Sequence, residues 1–523
     1  NVGSLTLTNT EYTSWEGKLA ISYNESINNH NINVGGGLEV KTTRRRTNTG
    51  TYKGFQSAEF SSPEFARSMP YKPSFQEVQT RLFGMFARLN YSYQDIYLLD
   101  ASLRIDGSSE FGSDKRYAPF FSGGLGLNIH KYDFMEKYGF INHLKVRGSF
   151  GQTGKVNFAP YAAVPTHEID IDEWYISGPA ASLMTTRGNR DLKWEKTNKF
   201  DVGFELGLLK NLLYLEFSWY NEITNGLITD VTLPSSTGFK TYKSNMGKVE
   251  NKGFEIQFRS DLLSTADWYV AVFANLAHNT NKIKKISDAL KAYNDAVNEY
   301  YNQEIESLWD KDNPNLNRVM TKYEEGQSLS AKYGLKSLGI DPANGQELYV
   351  YRDGTVSYDW SATEMRNIGD EMPWGTGSFG VNLRWKNITF STSFLYEFGG
   401  DFYNETLIDK VENAKIEEYN VDRRAMSQRW KKFGDVVMYK DIKDNTQTTD
   451  PTSRFMQRNN VLSWNSMTIG YELDREMLKR IGIENIRIEV GTNDLWRLST
   501  VKAERGLSYP YANSVNFSVN VRF

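Results

Sequence analysis

The amino-acid sequence predicts an all-β protein, a transmembrane antiparallel β-barrel with long extracellular loops. Three observations support this prediction. Apolar and polar side chains alternate with a period of two along most of the chain, aromatic residues reach 14% although hydrophobic residues total only 39%, and short connections alternate with long ones. Successive side chains of a strand point to opposite faces, so such segments form a sheet with one apolar and one polar face.

The alternation is clearest at the C-terminus, in the segment SVNFSVNVRF. One face of this segment carries Val515, Phe517, Val519, Val521 and Phe523, and the other carries polar residues. We count about 15 alternating segments, each near the ~10 residues that a tilted membrane strand needs. The apolar face of the last segment is therefore predicted to contact lipid.

The connections fall into two classes that alternate along the chain. Short ones lie near 94–95, 210–211, 264–267 and 386–387, and long ones span 43–75, 107–118, 154–193, 224–245, 280–373 and 399–459. Tight periplasmic turns and long external loops are typical of outer-membrane barrels. A soluble all-β protein is the alternative. One extracellular helix is predicted from Ile283 to Trp309, where apolar residues recur at helical spacing.

Composition and motifs exclude several function classes. The net charge of −3 argues against a general nucleic-acid binder, and the lack of cysteine excludes thiolate chemistry. The five histidines form no metal-binding spacing, and no nucleophile elbow or P-loop sequence is present. Gly375, Gly377 and Gly380 spell GxGxxG but are followed by a strand pattern, not a helix. We therefore predict no enzyme activity, cofactor or metal.

The strand count also predicts an incomplete barrel. If the last strand ends at Phe523 in the periplasm, the first strand at 15–23 runs inward, and residues 1–14 lie outside the cell. A complete single-chain bacterial barrel has an even number of strands. We therefore expect residues 1–523 to be the C-terminal portion of a barrel, completed by a second chain that pairs with strands 15–23 and 513–523.

Seven ordered stretches make the chain resemble the SusC/RagA-type TonB-dependent transporters of Bacteroidota. The resemblance covers nearly the whole sequence. The stretches are YLLDASLRIDGSSEFGSDKRYAPFFSGGLGLNI (97–129), LKVRGSFGQTG (144–154), NRDLKWEKTNKFDVGFELGLL (189–209), LPSSTGFKTYKSNMGKVENKGFEI (233–256), YGLKSLGIDPANGQELYVYRDG (333–354), RWKKFGDVV (429–437) and SRFMQRNNVLSWNSMTIGYEL (453–473).

The resemblance implies a plugged outer-membrane barrel of about 22 strands. Subtracting about 15 strands leaves about seven, and the N-terminal plug and the TonB-contacting segment have no match here. The implied function is active import of glycans or oligopeptides, with a SusD-like surface lipoprotein as a lid and TonB acting through the missing part. The alternative is a structural or secretion-associated barrel that serves as an assembly platform. Phe517, Val519, Val521 and Phe523 resemble the C-terminal signal read by the barrel-assembly machinery.

One loop holds candidate substrate-binding residues. Asp170, Asp172, Trp174 and Tyr175 lie in HEIDIDEWYISG. Carboxylates at i and i+2 can bind Ca²⁺, and aromatic faces can stack on sugars or pack on peptides. The simpler alternative is a solvated charged loop with aromatic residues over its base.

A second predicted loop, 42–50, carries a basic run. Arg44, Arg45 and Arg46 could contact anionic lipopolysaccharide or a partner by charge, and solvated surface is an equal alternative.

Overall fold

A computed structural model provides the fold, and the residues that it describes form one 15-stranded sheet with four small sheets in its connections. The strands are β1 (Gly3–Ile27), β2 (His30–Phe55), β3 (Ser74–Tyr93), β4 (Tyr97–Ser108), β5 (Tyr117–Asn128), β6 (Ile141–Lys155), β7 (Thr166–Tyr175), β8 (Gly178–Thr186), β9 (Glu195–Leu208), β10 (Leu213–Asn225), β11 (Ile228–Thr232), β12 (Thr241–Asn245), β13 (Lys248–Ser264), β14 (Trp268–Lys285), β15 (Ala331–Gly334), β16 (Lys336–Ile340), β17 (Glu347–Val350), β18 (Val356–Ser357), β19 (Arg366–Asp370), β20 (Gly375–Trp385), β21 (Ile388–Tyr403), β22 (Met456–Glu472), β23 (Asn485–Ser499) and β24 (Ser514–Arg522).

The structure describes most of the chain. It leaves out residues 1–2, 58, 60–61, 113–114, 157, 176–177, 187, 211, 233–240, 246, 287–290, 296, 299–321, 415, 417–419, 444–448, 474–477, 479–481, 503–513 and 523. The side chains of 167–175, 178–186, 229–232, 241–242 and 244 are likewise left out. None of the helices in the described part of the chain is long and apolar enough to span a membrane.

The large sheet follows the chain order, which confirms the prediction of about 15 strands. Its order is β1-β2-β3-β4-β5-β6-β9-β10-β13-β14-β20-β21-β22-β23-β24. The hairpins at its start and end are antiparallel. The small sheets β7–β8, β11–β12, β15–β19 and β16–β17–β18 all lie in the connections predicted to be long. The alternation of tight turns and long connections is therefore present in the structure.

Two of the tight turns use left-handed backbone conformations. Gln94 and Asp95 have φ of 54° and 55°, and Leu209 and Lys210 have φ of 54° and 60°. Paired residues with positive φ are the signature of hairpin turns whose twist matches that of the flanking strands. These turns therefore join strands that are direct neighbours in the sheet.

Three predicted boundaries are corrected by the structure. The first strand was predicted at 15–23, but β1 extends from Gly3 to Ile27. The segment 42–50 was predicted to be a loop, but β2 continues through it to Phe55. Ile283 was predicted to begin a helix, but it lies in β14 and pairs with Val249. Residues 291–295 and 297–298 are helical, as predicted, and much of the remaining predicted helix lies outside the described residues. Short helices also occur at Glu405–Leu407 and Arg424–Ser427.

The chain divides into two compact units, and both pack their cores among the connections. The first unit comprises 1–126, 149–199 and 224–246, and the second comprises 127–148, 200–223 and 247–523. In the first, Phe111, Leu192 and Trp194 belong to one buried cluster. In the second, one cluster includes Ile408 and Phe455. Many apolar side chains of the large sheet are instead exposed, such as Leu19 at 62% and Phe517 at 68%.

Candidate functional site

The polar face of β1 to β4 carries a connected set of charges. Glu39 lies 3.6 Å from the Lys18 ammonium group and 3.2 Å from the Arg104 guanidinium group. The Arg104 Nε donates to Asp106 at 2.6 Å. Each of these four side chains therefore lies near an opposite charge on the same face. A molecule or chain segment on the polar face would meet these paired charged groups.

The polar face of β6, β9 and β10 continues this pattern in the second unit. Glu205 accepts from His143 at 3.3 Å and from Lys145 at 3.2 Å. Arg147 donates to Asp201 at 2.9 Å and to Glu216 at 3.1 Å. Such a ladder of alternating charges can hold a polar solute or a protein segment. Among the described residues, no three histidine or carboxylate groups come close enough to form a metal site.

The described residues of 322–374 and 404–455, in the second unit, pack into what we call the loop body. It joins the two longest connections, the one between β14 and β20 and the one between β21 and β22. Its core contains two buried clusters, one around Leu335 and Met365 and one around Ile408 and Phe455. These two clusters of buried apolar side chains give the connections a core of their own.

Three buried charges join the two parts of the loop body. Arg454 Nη2 donates to Glu347 Oε2 and to Glu412 Oε1, each at 2.7 Å, and Arg454 Nη1 donates to Glu412 Oε2. The three side chains are exposed by only 6%, 5% and 0%. Glu347 comes from the first connection, and Glu412 and Arg454 come from the second. This ion triad is therefore a cross-link between them.

Hydroxyl groups complete the ion triad. Thr452 donates to Glu347 and Thr449 donates to Glu412, both at 2.7 Å. Burial acts to raise the pKa of Glu412, but the adjacent Arg454 outweighs burial, and the pKa is lowered. Both carboxylates face a cation and a donor, which helps a buried ion pair to offset its loss of hydration, although the buried Nε of Arg454 has no hydrogen-bond partner among the described residues.

Arg429 extends the buried network towards the surface. Its guanidinium group donates to the carbonyl oxygens of Ala425 at 2.7 Å, Val411 at 2.8 Å and Glu412 at 2.6 Å. The next residue, Trp430, donates from Nε1 to the Pro342 carbonyl oxygen at 3.0 Å. These hydrogen bonds therefore fix Arg429 and Trp430, which directly precede residue 431, to the loop body.

A turn at 431–436 presents two apolar side chains to solvent, and we call it the exposed turn. The Asp435 carboxylate accepts from the backbone N–H groups of Lys431 and Lys432, and the Gly434 N–H donates to the Pro342 carbonyl oxygen at 2.8 Å. Phe433 is 79% exposed and Val436 is 86% exposed. They are the most exposed large hydrophobic side chains in the described part of the chain.

The predicted substrate-binding residues lie in a hairpin. The backbones of Asp170, Asp172, Trp174 and Tyr175 belong to β7, which pairs with β8. Asp170 pairs with Ala181 and Trp174 pairs with Pro179, with a register shift between them. Their side chains lie outside the described residues, so the predicted binding role stays a prediction.

Neither the ion triad nor the exposed turn was predicted from the sequence to be functional. Glu347 and Arg454 are 107 positions apart, and no local pattern links them. The exposed turn lies inside RWKKFGDVV, a stretch that carried the resemblance. The signal available there was the pair of apolar residues flanking Gly-Asp in an otherwise polar loop.

The family model described as "TonB dependent receptor-like, beta-barrel" matches residues 2–392. The chain belongs to this family. Curated relatives agree with the assignment. TonB-dependent receptor P3 of Formosa agariphila is 25% identical over 504 residues, which cover 91% of this chain and 47% of the relative. TonB-dependent receptor SusC of Bacteroides thetaiotaomicron is 27% identical over 344 residues, covering 63% and 32%.

Solved structures agree with the fold of this TonB-dependent receptor barrel. The structure of the RagAB peptide transporter superposes with a TM-score of 0.80 at 22% identity, covering 96% of this chain and 54% of that one. The open-open state of the RagAB peptide importer gives 0.79 and covers 96% and 53%. The chain thus spans about half the length of the proteins it matches.

Family membership assigns the faces and the location. TonB-dependent receptors are outer-membrane barrels, not enzymes, and this chain is a SusC/RagA-like member. In such barrels the apolar face meets lipid, the polar face lies inside, and the long loops face the cell exterior. The charged sets on the polar face therefore belong to the interior, and the loop body belongs to the external side.

Proposed function

We propose that this chain supplies barrel wall and external loops to an active importer of glycans or oligopeptides. An N-terminal part of the same transporter would add the plug, the remaining strands and the segment that contacts TonB. Coverage supports this division, because the chain matches 47% of TonB-dependent receptor P3 and 54% of the RagAB transporter chain. The paired charges on the polar face would then provide the seat for the plug.

We further propose that a SusD-like lipoprotein rests on the loop body as a lid. The exposed turn is the observation that carries this part of the proposal. Phe433 and Val436 are held out in water by a turn whose backbone is fixed to the Pro342 carbonyl oxygen. Exposed apolar groups on a rigid support are typical of protein docking sites, where aromatic side chains act as anchors.

Cargo contact is proposed for the hairpin β7–β8. Asp170, Asp172, Trp174 and Tyr175 combine carboxylates with aromatic rings in a long external connection. Such a combination suits ring stacking and polar contact with a sugar or a peptide. The same residues would serve either cargo class, so transport assays have to separate the two.

Site-specific cross-linking tests the lid. A photoreactive phenylalanine analogue is placed at Phe433 in the complete transporter, in its own cells, and at Val356 as a control. Val356 is 49% exposed and also lies in the loop body. We expect position 433, but not 356, to cross-link to a lipid-anchored surface protein. Cross-links from 433 to other loops of the transporter alone would contradict the lid.

Uptake assays separate import from the assembly-platform alternative. Cells are given fluorescent oligosaccharides and oligopeptides, with and without collapse of the proton gradient. Import predicts accumulation that stops when the gradient collapses, since TonB draws its energy from it. A platform predicts no accumulation of either cargo and a loss of other surface proteins when the transporter is deleted.

A further inference from the structure

The outward face of β1 to β4 shows where the membrane lies against the sheet. Leu19, Leu38, Met85 and Ile105 occupy one cross-strand row on this face. Leu19 is 62% exposed, Leu38 41% and Met85 44%. Three of these residues are exposed and Ile105 is partly buried, and this row of apolar side chains across four strands forms the band that contacts lipid tails.

Aromatic residues border this band at both ends. Near the tight turns, the rings of His30, Tyr93 and Tyr97 are neighbours, with centroids 4.7 and 6.3 Å apart. Towards the long loops, the ring centroids of Phe83 and Tyr117 are 6.5 Å apart. From Phe83 to Tyr93 is 10 residues, about 34 Å along a strand, and tilting brings this close to the ~25 Å height of the apolar band.

Three arginines stand on the same face just outside the outer aromatic border. Arg81 pairs with Thr42, in one row with Trp15, and Arg44 and Arg46 occupy the next two rows. These rows lie at the long-loop end of the strands, which is the external side in this family. The guanidinium groups therefore stand at the level of the outer-leaflet headgroups.

Glu77 holds two of these guanidinium groups in place. Arg44 donates to it from Nε and Nη2, both at 2.8 Å, and Arg46 donates from Nε at 3.0 Å. The side chains of Arg44 and Arg46 remain 43% and 39% exposed. With Glu11 opposite Arg46, three arginines face two carboxylates, which leaves one net positive charge on the patch.

We infer that Arg44, Arg46 and Arg81 form a binding site for the phosphate groups of an outer-leaflet glycolipid. A planar guanidinium group binds phosphate oxygens through two parallel N–H donors, and Glu77 orients two such groups in advance. The lipid's acyl chains would lie along the apolar band below. The site is separate from the transport pathway and does not depend on the proposed import function.

Arg45 provides a matched control. It lies between Arg44 and Arg46 in sequence but points to the opposite face of the sheet, where it pairs with Tyr12 and Val78. Arg45→Gln removes the same charge from the same strand without touching the patch. The double variant Arg44→Gln/Arg46→Gln removes the two oriented guanidinium groups.

Binding is measured on the complete, detergent-purified transporter with three probes: diphosphoryl lipid A, dephosphorylated lipid A and inorganic phosphate. We expect the double variant to bind diphosphoryl lipid A about tenfold more weakly, since each basic group near a headgroup adds a modest increment. Arg45→Gln should bind like the wild type, and dephosphorylated lipid A should bind weakly to all three proteins. Circular dichroism confirms that each variant keeps its strands.

Three results would overturn the inference. Arg45→Gln removes one charge and the double variant removes two, so a loss per removed charge that is the same in both would mean that only overall charge matters. Equal binding of the two lipid A forms would mean that phosphate is not recognised. Saturation by inorganic phosphate without any lipid A binding would make the patch a free-phosphate site. If the double variant has lost its strands, Arg81→Gln alone is compared with Arg45→Gln, and the same outcomes apply.

Discussion

The 15-stranded sheet is held together by backbone hydrogen bonds, whereas the loop body depends on a few buried side chains. In the sheet, every residue of the β1–β2 hairpin from Ser4 to Ile27 has a partner across the ladder, although most of the β1 side chains are exposed. In the loop body, three charges from two connections meet at Arg454. The contrast indicates that the sheet distributes its stability evenly, while the loop body concentrates it at few positions.

Removing the central cation of the ion triad should have the largest effect on this contrast. Arg454→Met leaves Glu347 and Glu412 buried without their cation, and losing one partner of a buried pair costs about 3–5 kcal/mol. We expect proteases to cleave the loop body in intact cells while the assembled sheet stays at its wild-type level. Thermal unfolding followed at the loops and at the strands measures the two separately.

Arg458→Met serves as the control for this variant. Arg458 is 59% exposed and pairs with Asp401 at 3.2 Å, so its loss should change stability by less than about 1 kcal/mol. Arg454→Met combined with Glu347→Gln and Glu412→Gln should recover much of the lost stability. If sheet and loop body melt together in Arg454→Met, the two regions are not independent.

A charge on the outward face should be the next largest effect, and it acts on the sheet instead. Val519 lies on the apolar face of β24, opposite Ile488, and Ser518 lies on the other face, opposite Glu489. Arginine facing lipid costs up to about 2–4 kcal/mol, depending on depth. We expect Val519→Arg to lower the level of assembled barrel well below that of Ser518→Arg. Equal levels in outer-membrane fractions would contradict the assigned faces.

The same variant bears on the predicted assembly signal. Phe517, Val519 and Val521 share the apolar face of β24, and Phe523 lies outside the described residues. If these residues act as a signal, Val519→Arg should also slow assembly of newly made protein in pulse-chase experiments. A normal assembly rate with faster later loss would indicate a lipid-facing role only.

Asp450 allows a smaller test, through pH. Burial, partly offset by Lys440, raises the pKa of Asp450 to about 7. An aspartate in the unfolded chain has a pKa near 3.9. Because the folded-state pKa is the higher one, the contribution of Asp450 to stability is present below about pH 4 and is lost as pH rises through 7.

We therefore expect the loop body to be about 1 kcal/mol less stable at pH 8 than at pH 5, since part of the Asp450 residue surface meets solvent. Asp450→Asn should abolish this fall, and Asp441→Asn on the same connection should not. Loop unfolding temperatures across the pH range measure the difference. A wild-type loop body whose stability is constant from pH 5 to 8 would contradict the assignment.

The contrast between sheet and loop body also explains what could be predicted from the sequence. A strand can be predicted from its local sequence, because alternate residues meet different environments. The predicted count of about 15 strands is confirmed. The segment 42–50 was wrongly predicted to be a loop because it lacks apolar residues. It remains a strand because its backbone is paired on both sides and because polar cross-strand pairs form, such as Thr8 with Thr49 at 3.2 Å.

The loop body could not be predicted in this way. Glu412 and Arg454 are 42 positions apart, and Glu347 is farther still, so their meeting depends on the fold of both connections. Ile283 was misassigned to a helix for a related reason. Its apolar neighbours recur at helical spacing, but pairing with Val249 places it in β14. Long-range pairing outweighs local periodicity at that point.

The smallest expected effect on stability is at the exposed turn, and that is where a docking role becomes measurable. Phe433 is 79% exposed, so Phe433→Ser should change the unfolding free energy of the loop body by less than about 0.5 kcal/mol. If a lid protein covers this side chain, the same change should weaken its association with the transporter several-fold. Leu338→Ser, at a position 60% exposed in the same body, is the matched control. Neither change is expected to disturb the fold of the loop body. Equal lid binding by Phe433→Ser and Leu338→Ser would therefore contradict a docking role for the exposed turn.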